Sequence, residues 1–119
     1  MLAPVCGGCA CGALRYECAA APLYIANCHC RDCQRATGSA YCAVVGVAAT
    51  AFRLRTGTPA VYDKLADSGN RMRRMFCSQC GPLVFLSRSA RPDVVVLAAA
   101  NIDAPSWVRP ARDIYTSGL

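Results

Sequence analysis

Seven of the ten cysteines in this 119-residue chain fall into three short groups, Cys9-Ala10-Cys11, the run CHCRDC at 28–33, and Cys77-Ser78-Gln79-Cys80. Sulfurs spaced two or three residues apart constrain a fold more than any hydrophobic pattern does, because such pairs either close on a metal ion or oxidise. Secreted small domains favour disulfides, whereas a reducing cytosol keeps thiols free for metal or redox chemistry. The N-terminal sequence MLAPVC lacks both the basic segment and the apolar stretch of a secretory signal. An unexported, cytoplasmic, metal-binding chain is therefore expected.

Seven thiolates divide naturally into four plus three. Zinc is tetrahedral; structural sites fill all four positions with protein ligands, and catalytic sites keep one open. Cys77-x2-Cys80 has the spacing of a zinc knuckle and needs two more thiolates. If residues 9–11 are extended, Cys9 and Cys11 share one face and make the natural second half-site. Cys6-x2-Cys9 has knuckle spacing too, so Cys6 competes with Cys11 for that role. In the middle group Cys28 and Cys30 would share a strand face, and the turn that follows brings Cys33 to the same ion as a local tripod. No fourth protein ligand is evident there. Two zinc ions on seven thiolates would bring the formal charge of +6 down to about +3. His29, the single histidine, would point away from its two cysteine neighbours, as a hydrogen-bonding or packing residue rather than a ligand. Cys6, Cys18 and Cys42 read as small buried hydrophobes.

Around these groups the sequence is mainly β and forms one domain, residues 1–119. Short apolar or alternating runs, separated by Gly, Pro, Asp and Asn, predict strands at 13–18, 24–28, 40–47, 51–55, 60–64, 71–76, 83–87, 94–99 and 113–116. One helical turn is predicted at 32–37, stopped by Gly38. Hydrophobic residues make up 55% of the chain, enough for a core, although abundant alanine buries little area per residue. The apolar runs at 40–49 and 94–100 fall far short of the ~20 residues that span a bilayer. Arg71, Arg73 and Arg74 do not form a continuous basic stripe, since Arg74 takes the opposite face of a strand from the other two. Nucleic acid is not an expected partner.

The motifs GGCACGALRY at 7–16, CHCRDCQRATGSAY at 28–41 and FCSQCG at 76–81 resemble the glutathione-dependent formaldehyde-activating enzyme family, whose relatives include centromere protein V. NIDAPSW at 101–107 and the segment 114–117 resemble its closing region more loosely. The resemblance spans nearly the whole chain. It implies a β-tent fold, in which small antiparallel sheets meet over zinc. It assigns Cys9, Cys11, Cys77 and Cys80 to a structural zinc, and Cys28, Cys30 and Cys33 to a catalytic one. The implied activity is that of a carbon–sulfur lyase, joining glutathione to formaldehyde as S-hydroxymethylglutathione. The sequence departs from the family pattern at Pro82, after Cys80-Gly81, and at Arg112-Asp113, where many relatives carry a histidine.

On this reading the open zinc site accepts a thiol, which attacks an aldehyde carbon, and Arg31 and Arg35 are placed to meet carboxylates of a glutathione-like thiol. The alternative is a non-catalytic zinc module, whether structural, zinc-storing, redox-sensing, or turned by its arginines towards an acidic partner.

Overall fold

The computed structural model describes residues 4–65, 69–109 and 112–114. Its elements, in chain order, are β1 (Val5–Gly8), β2 (Arg15–Cys18), β3 (Tyr24–Cys28), the helix α1 (Arg31–Thr37), β4 (Cys42–Ala48), β5 (Phe52–Thr56), β6 (Ala60–Leu65), β7 (Arg71–Phe76), β8 (Leu83–Arg88), β9 (Arg91–Ala98) and β10 (Arg112–Ile114). Short 3-10 turns occupy Ala49–Ala51, Ala99–Asn101 and Pro105–Trp107. The protein is thus a mainly β single domain, as expected. No helix among the described residues is long and apolar enough to cross a membrane.

Two sheets carry the fold. The smaller has the order β1-β2-β5, and the larger β10-β3-β4-β9-β8-β7-β6. All pairings are antiparallel except that of β10, which joins the edge of the larger sheet parallel to β3, with Ile114 beside Cys28. The central strands β4, β8 and β9 read as nearly unbroken apolar runs because both faces of the larger sheet are covered. On one face Val45, Val47, Phe85 and Leu97 pack with Tyr16 and Cys18 of the smaller sheet. On the other, Val44, Leu86, Val94 and Val96 pack with Cys28, Cys33 and Cys42. The Phe52 ring bridges the sheets, 5.5 Å from Tyr16 and 4.8 Å from Phe85 between centroids.

Several elements differ in existence or bounds from the sequence reading. β1 was not expected, because VCGG has little strand propensity; it forms by pairing with β2, Val5 opposite Cys18. The strand expected at 13–18 begins at Arg15, since the chain before it is spent on a turn. The helical turn is one residue longer than predicted: the Cys30 sulfur caps it by accepting from the Cys33 amide, and Gly38, at φ +68°, ends it by donating its N–H to the Gln34 carbonyl. The strand expected at 113–116 is seen only through Ile114; residues 115 and 116 lie outside the described residues.

Gly8 marks the place where β1 must run against the Cys9 turn. A Cβ there would sit 2.0 Å from the Leu14 carbonyl oxygen, a backbone atom with no rotamer to escape by. Gly8→Ala should therefore destabilise the protein by about 1–3 kcal/mol in urea unfolding; unchanged stability would contradict this close approach.

Candidate metal centre

Four thiols meet where the first turn faces the β7–β8 connection. Cys9 and Cys11 lie in the turn after β1, which the Cys9 amide and the Leu14 carbonyl close at 3.1 Å. Cys77 and Cys80 lie in the tight turn after β7, closed by the Gly81 amide on the Cys77 carbonyl at 2.9 Å. The Cys9 and Cys11 sulfurs are 3.6 Å apart, those of Cys11 and Cys77 3.7 Å, and all four lie within 4.8 Å of one another. Cys11, and not Cys6, completes the group; Cys6 lies in β1, opposite Glu17 of β2.

Cys9 and Cys11 do not use a shared strand face, as the sequence reading supposed. The reason is the demand of sulfur for donors: strand amides are consumed by the ladder, whereas turn amides are free to point at a thiolate. Leu14 donates to Cys9 Sγ at 3.2 Å, Cys11 to Cys80 Sγ at 3.4 Å, and Gln79 and Cys80 each to Cys77 Sγ at 3.4 Å. Burial resists ionisation of Cys9, but the Leu14 amide and the neighbouring thiols outweigh it and bring its pKa down to about 6. Cys77 is also lowered, chiefly by the Cys80 and Gln79 amides.

Cys28, Cys30 and Cys33 form the second group. Cys28 ends β3, Cys30 is the N-cap of α1, and Cys33 stands in its first turn. The expected common strand face for Cys28 and Cys30 is absent because the chain leaves the sheet after Cys28 and enters the helix; strand end and helix start make the tripod instead. Sulfur separations are 3.6 Å for Cys28–Cys30 and 3.2 Å for Cys33–Cys28, and the three lie within 4.8 Å of one another. No fourth Cys, His or carboxylate joins them among the described residues. Cys42 pairs with Cys28 across the sheet, but its thiol, pushed up to about 11 by burial, donates to the Ala43 carbonyl.

Both groups fit a tetrahedral ion. Metal–sulfur bonds of about 2.3 Å give a tetrahedron edge of about 3.8 Å, near the separations seen here, whereas a disulfide needs about 2.05 Å. All ten cysteines are free. The Cys28 thiol, which donates to Cys30 Sγ, and the neighbouring Cys33 hold Cys30 far below an ordinary thiol, while Cys28 and Cys33 are raised.

The tripod is braced from behind. Buried His29 meets Asp113 Oδ1 through Nε2 at 2.8 Å, which ties β10 to the cysteine segment and lowers the Asp113 pKa. Its ring packs 5.4 Å from Tyr41, as a positioning histidine and not a ligand. Beside the tripod opens a cavity of about 380 Å³ lined in part by Thr37, Tyr41, Cys42, Leu83 and Asn101. Of the arginines singled out by sequence, Arg31 is engaged by Gln34 at 2.6 Å and Arg35 is exposed. Arg71 and Arg73 both face Asp63, at 3.1 and 3.9 Å, which leaves no free basic stripe on β7. Arg74, read only as lying on the opposite face, is buried at 5% exposure; adjacent arginines in sequence gave no sign of this.

Comparison with known proteins agrees with this geometry. The family model described as glutathione-dependent formaldehyde-activating enzyme matches residues 4–118. A crystal structure of a Rhodobacter sphaeroides protein, solved as a structural-genomics target, superposes with a TM-score of 0.71 at 20% sequence identity, covering 91% of this chain and 98% of the other. At that identity the likeness speaks for the fold.

Metal counting on variants checks the two-group assignment. Cys33→Ser should remove one ion per chain and leave the other, Cys77→Ser should remove the other and lower stability, and Cys6→Ser should keep both. Loss of an ion with Cys6→Ser would contradict the assignment.

Proposed function

The chain belongs to the glutathione-dependent formaldehyde-activating enzyme family, and from that premise we propose that it is a zinc-dependent carbon–sulfur lyase, joining a glutathione-like thiol to a small aldehyde such as formaldehyde and splitting the same adduct. The observation that carries this reading is the inequality of the two thiol groups, four against three, with no fourth ligand near Cys28, Cys30 and Cys33 among the described residues.

Cys9, Cys11, Cys77 and Cys80 would saturate one tetrahedral zinc and so have a structural role. Cys28, Cys30 and Cys33 would hold a second zinc, which would supply an open position for a thiol and the charge that favours its thiolate form near neutral pH. The chain's own residues do the rest. α1 fixes Cys30 and Cys33 on one short rigid element, and the His29–Asp113 contact holds the segment between Cys28 and Cys30. The neighbouring cavity has apolar walls at Leu83, Tyr41 and Cys42 and room for a small aldehyde. Asn101 donates to the Leu83 carbonyl at 2.6 Å and keeps that wall in place.

In the addition, the sulfur lone pair forms the carbon–sulfur bond, the carbonyl π pair moves to oxygen, and oxygen takes up the proton given up by the thiol. No electrons are gained or lost, and the reverse sequence is the lyase reaction. An ion held by three thiolates would be only weakly Lewis acidic, so positioning and thiol ionisation would contribute more than carbonyl polarisation.

Cys30→Ser should reduce adduct formation from glutathione and formaldehyde to the rate in buffer while one of two zinc ions is retained. A metal-replete wild-type protein that forms adduct no faster than buffer would refute the proposal.

A further inference from the structure

Arg74 is a buried guanidinium whose Nε and Nη2 have no hydrogen-bond partner among the described residues. An unpaired charge held out of water is costly and persists where something else compensates it. Arg74 lies on β7 opposite Tyr62 of β6 and Leu86 of β8. Beside it, between α1 and β6, is a hollow of about 240 Å³ lined by Asp32, Arg35, Ala36, Tyr62, Lys64 and Arg74. A second hollow, of about 180 Å³, continues from Arg74 towards Phe76 and Leu83. Ala36 borders both of these and also the cavity at Tyr41 and Cys42, so the three spaces adjoin around one helix residue.

Among the described residues the only carboxylate lining these hollows is Asp32, and Lys64 already holds it at 2.8 Å. That leaves Arg74 without an acidic partner there. Its two unpaired nitrogens are also the adjacent pair whose N–H bonds run parallel, the edge of a guanidinium that takes a carboxylate in two-pronged fashion. Its charge is felt at Cys30 and Cys42, which puts it within electrostatic range of the tripod.

We propose that Arg74 is an anion-recognition residue, seating a carboxylate of the thiol substrate in the hollow between α1 and β6 while the sulfur end reaches the Cys28–Cys30–Cys33 site. The substrate class is then an anionic thiol, with Arg35 at the rim as a secondary contact. This deepens the proposed function and rests on the tripod accepting a thiol.

The test uses the zinc-loaded full chain and three probes: 3-mercaptopropionate, 2-mercaptoethanol, which keeps the thiol but has no carboxylate, and 3-(methylthio)propionate, which keeps the carboxylate but has no ionisable thiol. Affinities are measured by calorimetry for wild type, Arg74→Gln and Arg74→Lys, with zinc content determined on each. In the wild type 3-mercaptopropionate should bind at least about tenfold more tightly than 2-mercaptoethanol, as a charge-assisted paired contact provides. Arg74→Gln should remove that advantage without changing zinc content or 2-mercaptoethanol binding, and Arg74→Lys should restore part of it. Equal loss of both thiols, or loss of zinc with Arg74→Gln, would show that Arg74 only balances the charge of the thiolate centre and would overturn the proposal. Should the variants fail to fold, absence of the wild-type preference overturns it alone. If 3-(methylthio)propionate binds through Arg74 while 2-mercaptoethanol does not bind, the anion site stands and the thiol-accepting reading of the tripod falls.

Discussion

Thiolate charges do not gather to within 4 Å of one another unless a cation sits among them. At such distances like charges repel by several kcal/mol in a partly buried setting. Seven sulfurs lie this close, in two groups with neighbours at 3.2–3.7 Å, and a bound cation is what would let each group ionise together. The four-thiol group brings together residues 66 positions apart, Cys11 and Cys77, and an ion held there would do for this small domain what a long-range covalent crosslink does elsewhere. The turns that carry the sulfurs, closed at Leu14 and Gly81, are shaped by the need to aim amides at them.

The larger sheet organises the consequences. Each of its faces carries one apolar cluster, and each cluster includes cysteines of one thiol group: Cys9 and Cys77 on the face under the smaller sheet, Cys28 and Cys33 on the face beneath α1. The full group therefore sits at the junction of the two sheets, where crosslinking is most useful. The three-thiol group packs with Cys42, which lines one cavity, and its helix α1 borders that cavity and the hollows beside Arg74. Stability and the proposed chemistry are thereby assigned to opposite faces of one sheet.

Much of this was legible in the sequence, because cysteine spacing is a local signal and metal geometry is demanding. The partition of the seven cysteines could be read from CAC, CHCRDC and CSQC, as could the helix stop at Gly38 and the apolar runs of β4 and β9. What escaped was non-local. β1 exists through its partner β2, and the backbone around Cys9, Cys11 and Cys30 is set by which amides the sulfurs can recruit rather than by strand periodicity. Asp113 stood out only as a departure from a family pattern, yet it is the partner of His29. Arg74 could be put on the face opposite Arg71 and Arg73, but its burial depends on its place between β6 and β8 with α1 across the hollow, which no window of sequence reports.

The central claim is that two ions occupy two different sulfur pockets. Anomalous diffraction from crystals of the unmutated protein, recorded on both sides of the zinc edge, tests it most directly. The account predicts two peaks per chain, one surrounded by Cys9, Cys11, Cys77 and Cys80 and one by Cys28, Cys30 and Cys33. A single peak, a peak outside these groups, or sulfur–sulfur bonds in place of either would contradict it.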